Sequence, residues 1–219
     1  FREDEVTLKN SIKDLSEYLS RYYDKPVMLF LDEYDVPLQS AYVNKYYEQG
    51  ITFFKTFYGT TFKDNPYLEK TVLTGVSRVA KESIFSGANN FKVYTILDDE
   101  FSDDFGITEE EMDKVIKDFE VENQKEEIKK WYDGYIIGNT EGIYNPWSIL
   151  NYLTDRKLMP YWVNTSSNDL IKIILKNSVT VKEKIEQLLR DEEIEVPINL
   201  DTVIVGIEQN EENIWGLLL

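Results

Sequence analysis

Apolar residues in the first third of the chain follow two different rhythms. Leu8, Ile12, Leu15, Leu19 and Tyr22 recur at alternating steps of four and three, which predicts an amphipathic helix. Pro26 is then followed by an uninterrupted apolar run, Val27 to Leu31, long enough for a fully buried parallel strand and too short for a buried helix. The run stops abruptly at Asp32 and Glu33. Beyond Pro37, Tyr47, Ile51, Phe54 and Tyr58 share one helical face, with Tyr46, Phe53 and Phe57 beside them. This set reads as core or interface packing rather than a platform for stacking bases. Asn65-Pro66 breaks the pattern. Leu68 to Gly75 reads as a second short strand, ending in the hydroxyl of Thr74 and a glycine. Ser86 to Asn90 is a turn-rich loop, and Val93 to Leu97 predicts a third strand. Strand, helix, strand, loop, strand fits part of a doubly wound α/β sheet.

From Thr108 the rhythm becomes helical. Thr108 and Glu111 have the spacing of a capping box, with Met112, Val115, Ile116 and Phe119 as the apolar face behind it. A helix carrying Ile128 and Trp131 is expected to stop at Tyr132-Asp133-Gly134, with Gly134 as a left-handed cap. Asn145-Pro146-Trp147 reads as N-cap, N1 and N2 of another helix, with Trp147, Leu150 and Leu153 facing inward. Ser167 would cap a helix bearing Leu170, Ile171, Ile174 and Leu175; Ile185, Leu188 and Leu189 mark one more, and Val203 to Ile207 a short strand. The expected organisation is an α/β segment over residues 1–106 and a mostly helical, lid-like subdomain over 107–219.

Composition narrows the chemistry. Of 219 residues, 42% are hydrophobic and 14% aromatic, enough to build a core, while the net charge is −17. A surface that acidic repels phosphate backbones and bilayers, so neither direct nucleic-acid binding by this segment nor a membrane partner is expected. Between Asp98 and Lys130 there are 14 acids against 5 bases, a net of −9, which is the pattern of a solvated helical face. Cysteine and histidine are both absent. That removes disulfides, thiolate chemistry, imidazole-zinc sites and Ser-His-Asp hydrolysis together, and fits a cytoplasmic setting. No apolar run approaches the roughly 18 residues that span a bilayer. The start at Phe1 and the apolar end, Trp215 to Leu219, read as cuts through a larger protein.

The two acids after the first strand are the main candidate site. In open α/β sheets a ligand sits beyond the carboxyl ends of the strands. An apolar strand ending in Asp32-Glu33 is the pattern of a Walker B strand. The first acid would hold Mg²⁺, usually through water, and the second would orient and deprotonate the water attacking a γ-phosphate. A surface turn after a core strand is the plainer alternative. On the neighbouring strand Thr74 is placed to touch the attacking water or the phosphate. Arg78 and Lys81 are the first cations in sequence beyond that tip, able to offset phosphate charge or simply to stand on the surface. A P-loop, Gly-x4-Gly-Lys-Ser/Thr, is missing; Gly50 to Thr56 has a Lys-Thr pair but Phe in place of the second glycine. No phosphate-binding cradle is therefore expected from these residues.

Five stretches together resemble one family, the predicted AAA-ATPase-like proteins, in which a P-loop ATPase region is often followed by a PD-(D/E)xK nuclease-like domain. They are Leu29 to Tyr42, Leu73 to Asn90, Trp131 to Tyr135, Tyr144 to Leu153 and Tyr161 to Asn168. The resemblance implies a partial P-loop NTPase sheet of the ASCE type followed by a helical lid. It implies Asp32 as the magnesium-side acid, Glu33 as the water-activating acid, and the strand ending at Thr74 as the sensor strand, with Arg78 beside it. Mg²⁺ and ATP are expected for a complete protein carrying the P-loop, and no tight binding to this chain alone. Loss of the P-loop strand would leave unpaired strand edges, so poor solubility or a homo-oligomer is expected of the isolated segment. Two other functions compete: a non-catalytic regulatory module associated with a nuclease-like domain, and a carboxylate-metal nuclease drawing on Asp98, Asp99 and Glu100.

Overall fold

The computed structural model describes residues 4–76, 91–163, 169–200, 207 and 210–219. The chain divides into two compact units: residues 1–91 with 168–219, and residues 92–167. The sequence-based boundary at 106/107 falls inside the second of them.

In the first unit the expected leading helix is present as α1 (Glu5–Tyr23), closed by Asp24 in the left-handed conformation. It packs on the helix α3 (Tyr47–Phe62), where Thr60 Oγ1 donates to the Lys9 carbonyl at 2.6 Å and Lys9 Nζ lies 5.7 Å from the Phe53 ring centre. The inward residue of α1 is Ser16, whereas Leu15 and Tyr22 of the expected apolar stripe are 54% and 81% exposed. Periodicity therefore gave the helix but not the face it buries: one neighbouring helix covers only part of it.

The strand β1 (Val27–Leu31) follows, then α2 (Val36–Val43), α3 and β2 (Leu68–Leu73). β1 and β2 pair in parallel, with Leu31 opposite Leu73, so both strands end at the same rim. The sheet has two strands among the described residues. β1 is not buried on both faces as its apolar run suggested. Met28 and Phe30 are 51% and 68% exposed, because one side of the sheet carries the packed layer and the other is left open by the described residues. The layer is built from Leu38 and Ala41 of α2 and Tyr47 and Tyr58 of α3, with Leu31, Ile51, Phe54 and Phe62 against them. The aromatics of α3 are thus core, as expected, and Phe53 and Phe57 stack 5.8 Å apart beside it. Residues 93–97, expected as a strand, are not regular structure.

The remaining helices of this unit among the described residues are α7 (Asp169–Asn177), α8 (Val179–Leu188) and α9 (Glu211–Leu218). Val181, Ile207, Ile214 and Trp215 form their core. Leu188 and Leu189, expected to mark an apolar face, are largely exposed at the end of α8. Ser167 and residues 203–206 lie outside the described residues.

In the second unit the capping box opens α4 (Glu109–Asp118): the Thr108 hydroxyl accepts from Glu111 N–H and the Glu111 carboxylate accepts from Thr108 N–H. Met112 and Ile116 are buried as expected; Phe119, past the helix end, is not. The helix α5 (Lys125–Tyr132) runs directly into a hairpin, β3 (Asp133–Ile137) and β4 (Thr140–Tyr144), so Gly134 lies in a strand rather than capping the helix. Gly138, at φ +53°, makes the hairpin turn with Asn139. Asn145 then caps α6 (Pro146–Asp155) through a 3.0 Å bond from Ser148 N–H. The buried face of α6 is Ser148, Ile149, Tyr152 and Leu153; Trp147 and Leu150 point outward, contrary to the sequence reading. The two adjacent tyrosine-bearing helices, α5 and α6, share the core with α4 and β4. Among the described residues no helix is long and apolar enough to cross a membrane.

Candidate functional site

The parallel pairing of β1 with β2 brings Asp32, Glu33 and Thr74 together at one strand rim. Main-chain bonds set the register there: Thr74 N–H donates to the Leu31 carbonyl at 2.9 Å and Tyr34 N–H to the Thr74 carbonyl at 3.0 Å. The Thr74 side chain completes the clasp. Its hydroxyl donates to Asp32 Oδ1 and accepts from Glu33 N–H at 3.2 Å. A hydroxyl is suited to this double role because it can donate and accept at once. Asp32 and Glu33 are both exposed, and of the two oxygens of Asp32 only Oδ1 is engaged among the described residues.

Glu33 adopts φ +51°, a left-handed conformation that a glutamate rarely takes. The cost is on the order of 1–2 kcal/mol. The bonds from Glu33 and Tyr34 N–H to Thr74 hold the backbone there. Such strain is found where a turn must present a side chain in one direction.

One member of the rim was not singled out by the sequence reading. Asp35 is fully buried, and its Oδ2 accepts from Gln39 Nε2 at 2.8 Å. It stands at the start of α2, where a carboxylate also meets the positive end of the helix dipole. The signal was the spacing of Asp35 and Gln39 before and after Pro37, a helix-start pattern with a side-chain pair one turn apart. Beside it Gly75 packs so tightly that a Cβ would lie 2.6 Å from the Tyr34 ring and 2.7 Å from Asp35 Oδ1. Under this turn Tyr58 Oη donates to the Tyr34 carbonyl at 2.9 Å. Burial, with the charges of Tyr34 and Asp35 adding to it, pushes the Tyr58 hydroxyl up to about 12.

Arg78 and Lys81, the expected cations, lie outside the described residues. Among the described residues no group of three or more carboxylates or other metal-binding side chains is gathered at one point. A single carboxylate reaching magnesium through water does not need such a group, and the exposed Asp32 fits that role. The acids suggested for a nuclease make bonds within their own loop and to the β3–β4 turn. Asp98 Oδ2 accepts from Thr95, Asp99 Oδ1 from Asn139 N–H at 3.0 Å, and Glu100 pairs with Lys92 at 2.7 Å. The Lys92 and Tyr94 bonds hold the Glu100 carboxyl below the usual range.

These features define an α/β segment whose parallel strands present two adjacent acids and a hydroxyl at their shared carboxyl rim. Residues 2–85 match the family model described as Predicted AAA-ATPase, so the resemblance drawn from the sequence holds over that stretch. Nothing in the match bears on a nuclease-like domain. The chain is also similar to a protein of Azotobacter chroococcum mcd 1, described as an uncharacterized protein in the vnfD 5′ region. The two are 28% identical over 167 residues, which is 74% of this chain and 31% of that protein. The chain thus spans about a third of the length of that relative. No solved structure matches this chain.

Proposed function

We propose that this chain supplies the Walker B and sensor strands of a magnesium-dependent nucleoside triphosphatase of the P-loop, ASCE type, with ATP as its nucleotide. The supporting observation is the rim itself: adjacent acids at the tip of one parallel strand, clasped by the hydroxyl at the tip of the next. Asp32 is the acid on the metal side. Glu33 orients the attacking water and takes its proton; the strained turn directs it. Thr74 positions both acids and stands where it can report on the phosphate. Arg78, and Lys81 after it, follow the same tip and are the cations available to offset charge. Catalysis requires a phosphate-binding loop on another segment of the complete protein, and homo-oligomer formation is part of the same proposal.

The test is ATP hydrolysis by the complete protein carrying that loop. Glu33→Gln keeps nucleotide binding and loses turnover by at least about a hundredfold, the lower end of general-base contributions. Unchanged turnover removes Glu33 as the base. A second reading, a non-catalytic regulatory module, draws on the structural use of Asp32, which accepts the Thr74 hydroxyl. It expects nucleotide-independent behaviour and no hydrolysis in the complete protein.

A further inference from the structure

Three of the five stretches singled out in the sequence carry none of the residues of the strand rim, yet residues from each of them meet. Trp131, Asp133 and Tyr135 from the α5–β3 junction, Asn145 from the start of α6, and Tyr161 and Trp162 beyond it line a single open pocket of about 320 Å³. The pocket belongs wholly to the second unit.

Its walls are aromatic and its framework is fixed. Tyr132, another lining residue, is buried; its hydroxyl donates to the Met159 carbonyl at 3.1 Å and accepts from Met159 N–H at 3.0 Å. Those bonds tie the segment before Tyr161 to α5. The Tyr132 and Tyr161 rings lie 6.3 Å apart, as do those of Trp131 and Tyr132. Trp147 Nε1 donates to the Tyr161 carbonyl at 3.3 Å, fastening the same segment to α6. Trp131, Tyr135 and Trp162 nevertheless remain about half exposed. A group of large rings held in place together yet left half in water is the kind of exposed apolar patch that marks a binding site.

The charge within the pocket lining has one sign. The second unit carries 17 acids against 8 bases, a net of −9. Within the lining the charged group is Asp133, whose Oδ1 is buried and makes no hydrogen bond among the described residues. Lys129 is the cation nearest it, 3.9 Å from Oδ2, but it sits closer to Glu109, at 3.1 Å. One lysine is thus shared by two carboxylates, leaving a local excess of one negative charge.

We propose that this pocket binds an organic cation, an alkylammonium or guanidinium head seated against the faces of Trp131, Tyr135 and Trp162 and balanced by Asp133. Ring faces attract such cations, and a poorly hydrated head loses little by leaving water. The head can belong to a small free cation or to a cationic side chain of another protein, and the two sources are separable by experiment.

The experiment follows the indole N–H resonances of the whole chain, ¹⁵N-labelled, during titration. Three probes are compared: choline, its neutral isostere 3,3-dimethyl-1-butanol, and N-acetyl-arginine amide. Choline or the arginine derivative is expected to shift Trp131 and Trp162 while leaving the core Trp215 in place. It should bind at least about fivefold more tightly than the neutral isostere. Tighter binding of the arginine derivative assigns the site to a protein side chain, and tighter binding of choline to a free cation. Asp133→Asn should weaken the cation by roughly tenfold without moving Trp215. Equal binding of the neutral isostere, or no shift of Trp131 and Trp162 with either cation, overturns the proposal, and neither outcome depends on a variant folding.

Discussion

Replacing Thr74 by valine isolates the clasp at the strand rim. Valine keeps the shape and the strand preference of threonine and removes only the hydroxyl. Two bonds disappear: the one donated to Asp32 Oδ1 and the one accepted from Glu33 N–H at 3.2 Å. Each such bond is worth about 0.5–1.5 kcal/mol net, and because Asp32 and Glu33 are exposed the pair belongs at the lower end. The expected loss is therefore about 1–2 kcal/mol, concentrated in the turn that holds Glu33 at φ +51°. Native-state amide exchange reads it locally. Glu33 N–H should exchange roughly five- to thirtyfold faster in Thr74→Val. Tyr34 N–H, bonded to the main-chain carbonyl of residue 74, should change less. Thr74→Ser restores the hydroxyl and should restore most of the protection. Equal Glu33 exchange in the Val and Ser variants would refute the clasp.

Three further outcomes follow from the same rim. Glu33→Gly removes the left-handed strain and should stabilise the chain by about 1 kcal/mol in urea unfolding, while the complete protein loses hydrolysis; loss of stability instead would show that the turn is not strained. Gly75→Ala drives a methyl into the Tyr34 ring and the buried Asp35 carboxylate, costing about 1–3 kcal/mol, and an unchanged denaturation midpoint would mean the rim relaxes freely. Tyr58 titrates higher in the folded than in the unfolded chain, about 12 against about 10. The stability tied to that difference is therefore complete below pH ~10 and is lost as pH rises toward ~12. Tyr58→Phe should flatten that part of the stability profile, which urea unfolding between those values would reveal.

Read in order, local signals carried the helices and two strands. The apolar run before Asp32, the Thr108 capping box and the Asn145-Pro146 helix start each depend on neighbours within one turn or one strand, so they are written where they act. The hairpin was also legible, in Gly138-Asn139 between Ile136-Ile137 and Thr140, although the helical rhythm around it masked that turn. Burial was not legible to the same degree. The periodicities of α1 and α6 mark apolar faces, but which residues are covered depends on where the next element lies. Leu15 and Leu150 are exposed while Ser16 and Ser148 are buried.

The sequence by itself determined that any chemistry here uses carboxylates, hydroxyls, lysine or arginine, and it pointed to Asp32 and Glu33 through a strand that ends in charge. Only the tertiary structure decided that Thr74, 42 residues from Asp32, bonds to it, that Asp35 is buried, and that Trp131, Asn145 and Trp162 line one pocket. The reason is physical: composition and period are properties of a segment. Pairing across a parallel sheet or the meeting of three distant segments is set by how whole elements pack, and no single stretch of sequence contains it.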